Sequence, residues 1–360
     1  MTLGFIVIGC FLVFMLLGVS VTIAIGAGTV AGLYWAGLLD FSLVFPQQII
    51  DGASKPALLA IPFFILAGNL MNAVGMTDKI FNFALALVGS VRAGLAYVNV
   101  IASLIFAGVS GSASADIAGL GQIEVKAMRE RGYSHEFAAA LTVATSLVGP
   151  IVPPSISLIV YAWLANASVA RLFLAGIVPG ILVALSFIAY IRVLCIFKPM
   201  PREAPRTMAT FRHAMIEGLP ALVAPSIILG AIVFGFATAT EAGVIACVYT
   251  LCVGLAYRVL TFDMVWKSLV ESALLSALIM MIIGASQTMG WLFAFEQVPQ
   301  AFASGFLDAI DGRAVFLTFV VILLIVIGCF MEATPAKIIL LPLLLPAADA
   351  FGVDRVQFGM

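Results

Sequence analysis

Apolar runs of membrane-crossing length recur along the whole chain, and the polar positions between them gather in short clusters. A bilayer's hydrocarbon core is about 30 Å thick, so one helical crossing takes about 20 apolar residues. Residues 1–39 carry no charge. They predict two crossings, broken near Gly18-Val19-Ser20. A further crossing is expected over 56–74, ahead of Asp78 and Lys79. The run 95–109 is apolar but only fifteen residues long. At 1.5 Å per residue it falls short of a crossing. It runs into Ser110-Gly111-Ser112-Ala113-Ser114-Ala115-Asp116, a stretch of small polar residues. Residues 137–170 are uncharged for thirty-four positions, with Pro150, Pro153 and Pro154 near the middle. A crossing over 172–191 follows. The second half predicts helices over 218–240, 242–257, 272–295, 314–331 and 338–350.

Composition turns this pattern into a class. Of 360 residues, 63% are hydrophobic and 10% are charged. Mean hydropathy is +1.20. Soluble globular chains carry about 25% charged residues. The charges here are too few to cover a water-facing surface of this size, which excludes a soluble enzyme, a disordered chain and a nucleic-acid binder. The expected fold is an all-α polytopic membrane protein. The N-terminus lacks a basic start and a small-residue cleavage site, so it reads as a first membrane helix and not as a signal peptide. The five cysteines have no metal-ligand or disulfide-framework spacing and read as small packing residues.

The longest hydrophilic segment, 198–214, contains Lys198, Arg202, Arg206, Arg212 and His213. The positive-inside bias places it on the cytoplasmic side, with Lys126, Arg129 and Arg131. It also divides the chain into two similar halves. Gly18 and Gly26 are eight apart, as are Gly235 and Gly243, at an offset of 217. Leu104-Ile105-Phe106-Ala107-Gly108 resembles Leu324-Ile325-Val326-Ile327-Gly328, at an offset of 220. Gly108 to Gly132 and Gly328 to Gly352 are both twenty-four residues, and Ser114 falls opposite Thr334. A duplication is the common plan of secondary transporters, and an odd number of crossings before the linker makes the second copy enter inverted. The expected organisation is a first repeat over 1–197, a basic linker over 198–214 and a second repeat over 215–360. The Pro-rich stretch of copy one would recur near 370, so copy two is expected to run on by about 50–70 residues.

Three segments place irregular, polar backbone at membrane depth, which is tolerated only where protein buries it or it lines a watery cavity. Residues 110–116, between two short arms, predict the tip of a re-entrant hairpin. Its small side chains let carbonyls and hydroxyls approach an ion, and the second arm's N-terminus offers N–H groups to an anion. In Gly149-Pro150-Ile151-Val152-Pro153-Pro154-Ser155 three prolines remove N–H donors, so the helix must open and free carbonyl oxygens. Freed carbonyls at the midplane suit Na⁺. Glu332-Ala333-Thr334-Pro335 occupies the repeat-related position of the first tip. The expected Na⁺ site is Ser110, Gly111, Ser112, Gly149, Val152 and Pro153. A second is expected on Glu332, Ala333 and Thr334 with residues beyond 360. An anionic substrate is expected between the two tips, on Ser112, Ala113, Ser114, Asp116, Ser155, Thr334 and Pro335. Glu241 reads chiefly as a structural anchor, and Asn69, Asn72 and Gln287 as helix–helix hydrogen-bonders.

Ile61-Pro-Phe-Phe-Ile-Leu-Ala-Gly68, the segments 110–116 and 149–155, Gly132-Tyr133, Ala175-Gly-Ile-Val-Pro-Gly180, Thr240-Glu241 and the run from Phe330 to Gly359 strongly resemble one family. It is the large membrane subunit of the tripartite ATP-independent periplasmic (TRAP) transporters. The resemblance covers essentially the whole chain. It implies a bacterial or archaeal inner-membrane symporter, driven by Na⁺, that imports an organic acid delivered by a periplasmic binding protein. A small four-helix membrane subunit is the implied partner within the bilayer. The implied fold is that of the ion transporters, with scaffold and transport domains moving like an elevator. On that plan the scaffold covers about 1–90 and 215–310, and the transport parts about 91–196 and 311–360.

Two other readings compete. Gly108-Val109-Ser110-Gly111 has the form used by intramembrane serine hydrolases, but such chemistry needs a base within hydrogen-bond reach. His135 and His213 lie in charged segments outside the membrane runs. A non-transporting scaffold is the other. No GxxxxGK[ST] motif is present, so the chain does not bind ATP by that device.

Overall fold

A computed structural model describes all residues except 1, 39, 41, 42, 203–207, 310 and 311. Arg206, in the predicted linker, lies outside the described residues. Helices account for nearly all the regular structure described. The first two, α1 (Thr2–Leu16) and α2 (Val21–Trp35), turn at Gly18 where the sequence predicts. Next come α3 (Val44–Ala53), a 3-10 turn (Pro56–Leu59) running into α4 (Ala60–Ala73), and α5 (Met76–Val88). The first hairpin is α6 (Gly94–Ser110), then α7 (Ala113–Asp116), a π-helical turn (Ile117–Gly121) and α8 (Gln122–Glu130). After it come α9 (His135–Ser146), α10 (Ile156–Ala165) and α11 (Val169–Phe197). The second half has α12 (Met208–Val233), α13 (Ala239–Ala256), α14 (Phe262–Phe295) and α15 (Val298–Ala309). It ends with α16 (Arg313–Gly328), α17 (Ala333–Ala350) and α18 (Arg355–Gly359). Among the described residues, six helical segments, Pro56–Ala73, Val169–Phe197, Phe211–Val233, Ala239–Ala256, Phe262–Phe295 and Ala333–Ala350, are long and apolar enough to cross a membrane.

Three helices do not follow from apolar runs: α3, α5 and α15. Each carries polar residues that interrupt its apolar run, such as Asp78 and Lys79 in α5, and gathers its apolar residues toward one face. Two boundaries also move. The basic linker is shorter than expected, because α12 begins at Met208 and takes up Arg212, His213 and Glu217. Likewise α14 begins at Phe262, ten residues before the apolar run, carrying Asp263, Lys267 and Glu271. Lys267 and Glu271 sit one turn apart, 4.0 Å between charged atoms, a spacing that helices favour.

The duplication is written in the backbone. Residues with left-handed φ recur in the same order in both halves: Gly18 with Gly235, Gly37 with Arg258, Gly75 with Gln297, Ala93 with Gly312 and Gly132 with Gly352. Their offsets run from 217 to 222. Most sit where a helix stops, and a left-handed residue there satisfies the last carbonyls. Arg258 and Gln297 take this conformation without being glycine, so matching residue types alone do not reveal these two pairs.

The chain falls into two compact units, and each draws elements from both halves. One comprises residues 1–58, 160–167 and 274–359; the other comprises 59–159, 168–273 and Met360. In the first, Val7 and Phe11 of α1 pack with Ile25 and Leu33 of α2 and with Met289, Leu292 and Phe293 of α14. A smaller cluster joins Phe316 and Val320 of α16 to Leu344, Ala347 and Ala348 of α17. Asp349 chelates the Arg355 guanidinium, which also donates to the Ala165 carbonyl, and Tyr161 Oη donates to the Arg355 carbonyl at 2.5 Å. In the second unit, α4 packs on α13, α5 on α12, and α6 on α9 and α11. Its core runs through Met71, Ile80, Leu95, Val98, Phe106, Leu120 and Leu141. On the outside, Val178, Leu182, Ile196 and Phe197 of α11 are at least 60% exposed. An apolar exterior of this kind belongs against lipid.

Candidate functional site

The first hairpin turns at a glycine and a serine, residues that leave helical conformation readily. At the end of α6, Gly111 adopts φ +58° and Ser112 is extended. The second arm starts at Ala113, and its helical ladder begins with the Asp116 N–H donating to the Ser112 carbonyl at 3.1 Å. Ser112 Oγ spends its hydrogen bond on Ser114 Oγ, 3.0 Å away, and does not cap the arm. Ser114 and Ala115 are exposed, whereas Ser110 and Asp116 are buried.

Helix α9 stops at Ser146, and regular helix resumes only at Ile156. In between, the Val148 carbonyl accepts from both Ile151 and Val152. Ser155 Oγ donates to the Pro150 carbonyl at 2.7 Å and accepts the Leu158 N–H at 3.3 Å, capping α10. The helix therefore opens over the segment whose prolines required it.

Tip and break meet. Ile156 N–H donates to the Gly111 carbonyl at 3.3 Å. A Cβ on Gly111 would lie 2.6 Å from the Pro154 carbonyl oxygen, and one on Gly149 would lie 3.1 Å from the Ser112 carbonyl carbon. Glycines at both positions let two irregular backbones touch. Thus Ser110, Gly111, Ser112, Ala113, Ser114, Gly149, Pro153 and Ser155 share one region of the second unit. Val152 joins them by its backbone while its side chain lies against Gly180 of α11.

The second tip lies in the other unit. There α16 ends at Gly328, and Glu332, extended and exposed, precedes α17 without a side-chain cap. The Ala336 N–H donates to the Glu332 carbonyl at 3.2 Å. Ala333 is exposed, Thr334 half-buried and Pro335 buried. A proline in a helix's first turn gives up only a donor that has no partner there.

Behind the first tip lies a polar cluster, most of which no sequence motif marks. Asn99 and Ser103 of α6 face Thr142 and Thr145 of α9, all four buried. Asn99 Nδ2 donates to Thr142 Oγ1 at 2.7 Å, and Thr145 Oγ1 donates to Asn99 Oδ1 at 2.5 Å. Asp116 and Glu124 of the second arm are buried beside them. A cleft of about 710 Å³ opens next to this cluster, lined by Ile117, Gly121, Gln122, Lys126, Arg129 and Thr142.

The other polar residues have structural work. Glu241 closes a capping box with Thr238 at the start of α13, accepting from the Thr238 N–H at 2.7 Å. Asn69 Nδ2 donates to Ser272 Oγ at 2.8 Å, a helix–helix bond as expected.

A family model for the DctM component of the tripartite ATP-independent periplasmic transporters matches residues 8–360. The chain is 37% identical to the sialic acid TRAP transporter large permease protein SiaM of Vibrio cholerae, over 91% of this chain and 82% of that one. It is 32% identical to the 2,3-diketo-L-gulonate TRAP transporter large permease protein YiaN of Escherichia coli, over 99% of this chain and 84% of that one. In structure it resembles the Alcanivorax borkumensis YdaH transporter, with a TM-score of 0.56 at 15% identity over 90% of this chain and 76% of that one.

Proposed function

Because the chain belongs to the DctM component of the tripartite ATP-independent periplasmic transporters, a multi-pass subunit of the prokaryotic inner membrane and not an enzyme, we propose that it imports an organic acid anion coupled to Na⁺. The relatives described above are named for sialic acid and for 2,3-diketo-L-gulonate. Both are sugar acids, which favours a carboxylate-bearing substrate here. A tripartite system brings this subunit a small membrane partner and a periplasmic binding protein.

The observation that carries the reading is the joint between the first tip and the α9–α10 break, closed by the Gly111–Ile156 hydrogen bond. It brings two non-helical backbones together with four serines, Ser110, Ser112, Ser114 and Ser155. Carbonyl and hydroxyl oxygens there suit a hard monovalent cation, and neutral ligands keep its binding reversible. We assign the ion to Ser110, Gly111, Ser112, Gly149, Val152 and Pro153. The substrate carboxylate belongs against Ser112, Ala113, Ser114 and Ser155, where the arm's N-terminal dipole favours an anion without a buried arginine. Thr334 and Pro335 supply the corresponding contact at the second tip, with Glu332, Ala333 and Thr334 as a second ion position. Asp116 joins the substrate contacts through its backbone in the arm's first turn, since its carboxylate is buried. The second repeat enters inverted, the basic linker faces the cytoplasm, and each repeat contributes both scaffold helices and moving transport parts.

The test is uptake of radiolabelled candidate acids into proteoliposomes that hold the assembled transporter and its binding protein. An inward Na⁺ gradient drives accumulation on this reading. Accumulation that is unchanged when choline replaces Na⁺ would sink it.

A further inference from the structure

The buried side chains of the polar cluster behind the tip, the Asp116 carboxylate among them, have no role in that assignment. None of the four carboxylate oxygens of Asp116 and Glu124 has a hydrogen-bond partner among the described residues, and the two side chains are 2% and 1% exposed. The two carboxylates act on each other electrostatically. Ser103 is turned toward Asp116 and Thr142 toward Glu124, though neither hydroxyl reaches hydrogen-bonding geometry. These hydroxyls are the two ends of one polar chain. Ser103 Oγ donates to Thr145 Oγ1 at 3.4 Å, Thr145 to Asn99 and Asn99 to Thr142.

Among the described residues no protein cation answers the pair. Lys126, Arg129 and Arg131 of the same arm and His135 of α9 are exposed or half-exposed. Lys79 of α5, the helix packed against the π-helical turn, sits 3.3 Å over the Tyr257 ring. An uncompensated buried carboxylate costs several kcal/mol, and two together cost more. The pair is not needed to build an arm of this length and ending. The repeat-related arm, 333–350, has the same length and the same left-handed glycine after it. At an offset of 220 it carries Ala336 for Asp116 and Leu344 for Glu124, with Leu323 for Ser103 and Phe319 for Asn99 on the preceding helix. Copy two carries no carboxylate, hydroxyl or amide at any of these four positions.

We infer that Asp116 and Glu124, with the Ser103 and Thr142 hydroxyls, form a Na⁺ site inside the first hairpin, separate from the ion position at its tip. The donors are all hard oxygens, the set that alkali and alkaline-earth cations prefer. Thr142 also lines the 710 Å³ cleft, which brings one of the four donors to a water-accessible wall away from the tip. The inference rests on the Na⁺-coupled reading for its biological use but not for its test.

The test is equilibrium ²²Na⁺ binding to the purified transporter, together with the Na⁺-to-substrate flux ratio in proteoliposomes. Glu124→Gln and the double variant Asp116→Asn/Glu124→Gln are expected to bind one Na⁺ fewer per protein, and to lower the flux ratio by one. Ser112→Ala, at the tip, is expected to weaken Na⁺ binding while leaving the count at saturation unchanged. If Glu124→Gln does not fold, Glu124→Leu, the residue copy two uses, takes its place. An unchanged count in these variants overturns the internal site and leaves the tip assignment standing. A wild-type protein that binds no Na⁺ overturns both. One that binds a single Na⁺, lost in Ser112→Ala but kept in Glu124→Gln, overturns only the internal site.

Discussion

The two hairpins are copies of one design, and they differ where chemistry is expected. Both have a short apolar first arm, a non-helical turn and an eighteen-residue second segment, 113–130 and 333–350, closed by a left-handed glycine. The first turn contains Gly111 at φ +58° and leads into an arm interrupted by a π-helical turn. The second turn has no left-handed residue, and its arm is α-helical throughout. The first arm buries two carboxylates, while the second buries alanine and leucine at their positions. The two hairpins share a frame and differ in the polar residues that they carry. π-helical turns recur at functional sites, which agrees with function weighting the first hairpin.

The contrast between the hairpins is tested most severely at Gly111. A side chain there meets the Pro154 carbonyl at 2.6 Å and must hold φ +58°. Gly111→Val should abolish transport while protein still reaches the membrane, since a bulky residue in this conformation strains the one joint the site depends on. Wild-type uptake by this variant would show that the joint is dispensable. A gentler, matched pair is Gly108 and Gly328. A Cβ on Gly108 would lie 2.8 Å from Pro225 Cβ, whereas nothing lies within 4 Å at Gly328. Gly108→Ala should cost about 1–3 kcal/mol of stability by overpacking. Gly328→Ala should be neutral or gain up to about 1 kcal/mol from helix propensity. Thermal unfolding in detergent measures both, and equal shifts would contradict the packing described.

The smallest effect compares the helix starts Ser20 and Thr238, which are also repeat-related. Thr238 closes a capping box with Glu241, but Ser20 makes no side-chain cap. Thr238→Ala should cost about 1 kcal/mol and Ser20→Ala a few tenths or less. The same unfolding assay separates them.

Much of this architecture is legible in the amino-acid sequence. The turn at Gly18, the tip at 110–116, the opening at 149–155 and the start of the second tip at Glu332 all fall where the sequence places them. Each is marked by residues that forbid regular helix or by a run too short to cross. The amphipathic helices α3, α5 and α15 are not legible in that way, because their polar residues interrupt the apolar runs that mark a crossing. The polar cluster is hidden too. Asn99 and Ser103 look like isolated polar residues in an apolar stretch, and only packing of α6 on α9 brings Thr142 and Thr145 against them. Glu124 sits among Lys126, Arg129, Glu130 and Arg131 and reads as part of a solvated tail. Helical rotation turns it inward with Ala127 and Met128, while Arg129, Glu130 and Arg131 face outward.

Everything proposed for transport turns on Na⁺ and the acid being bound together at the joint of tip and break. Coupled binding is reciprocal, so whatever factor Na⁺ applies to substrate affinity, substrate must apply to Na⁺ affinity. The decisive measurement is substrate affinity of the assembled, purified transporter at saturating Na⁺ and in choline, with the converse Na⁺ titration at saturating and zero substrate. Both affinities are expected to tighten by the same factor, and Ser112→Ala and Ser155→Ala to shrink that factor together. Substrate affinity identical with and without Na⁺ would contradict joint binding.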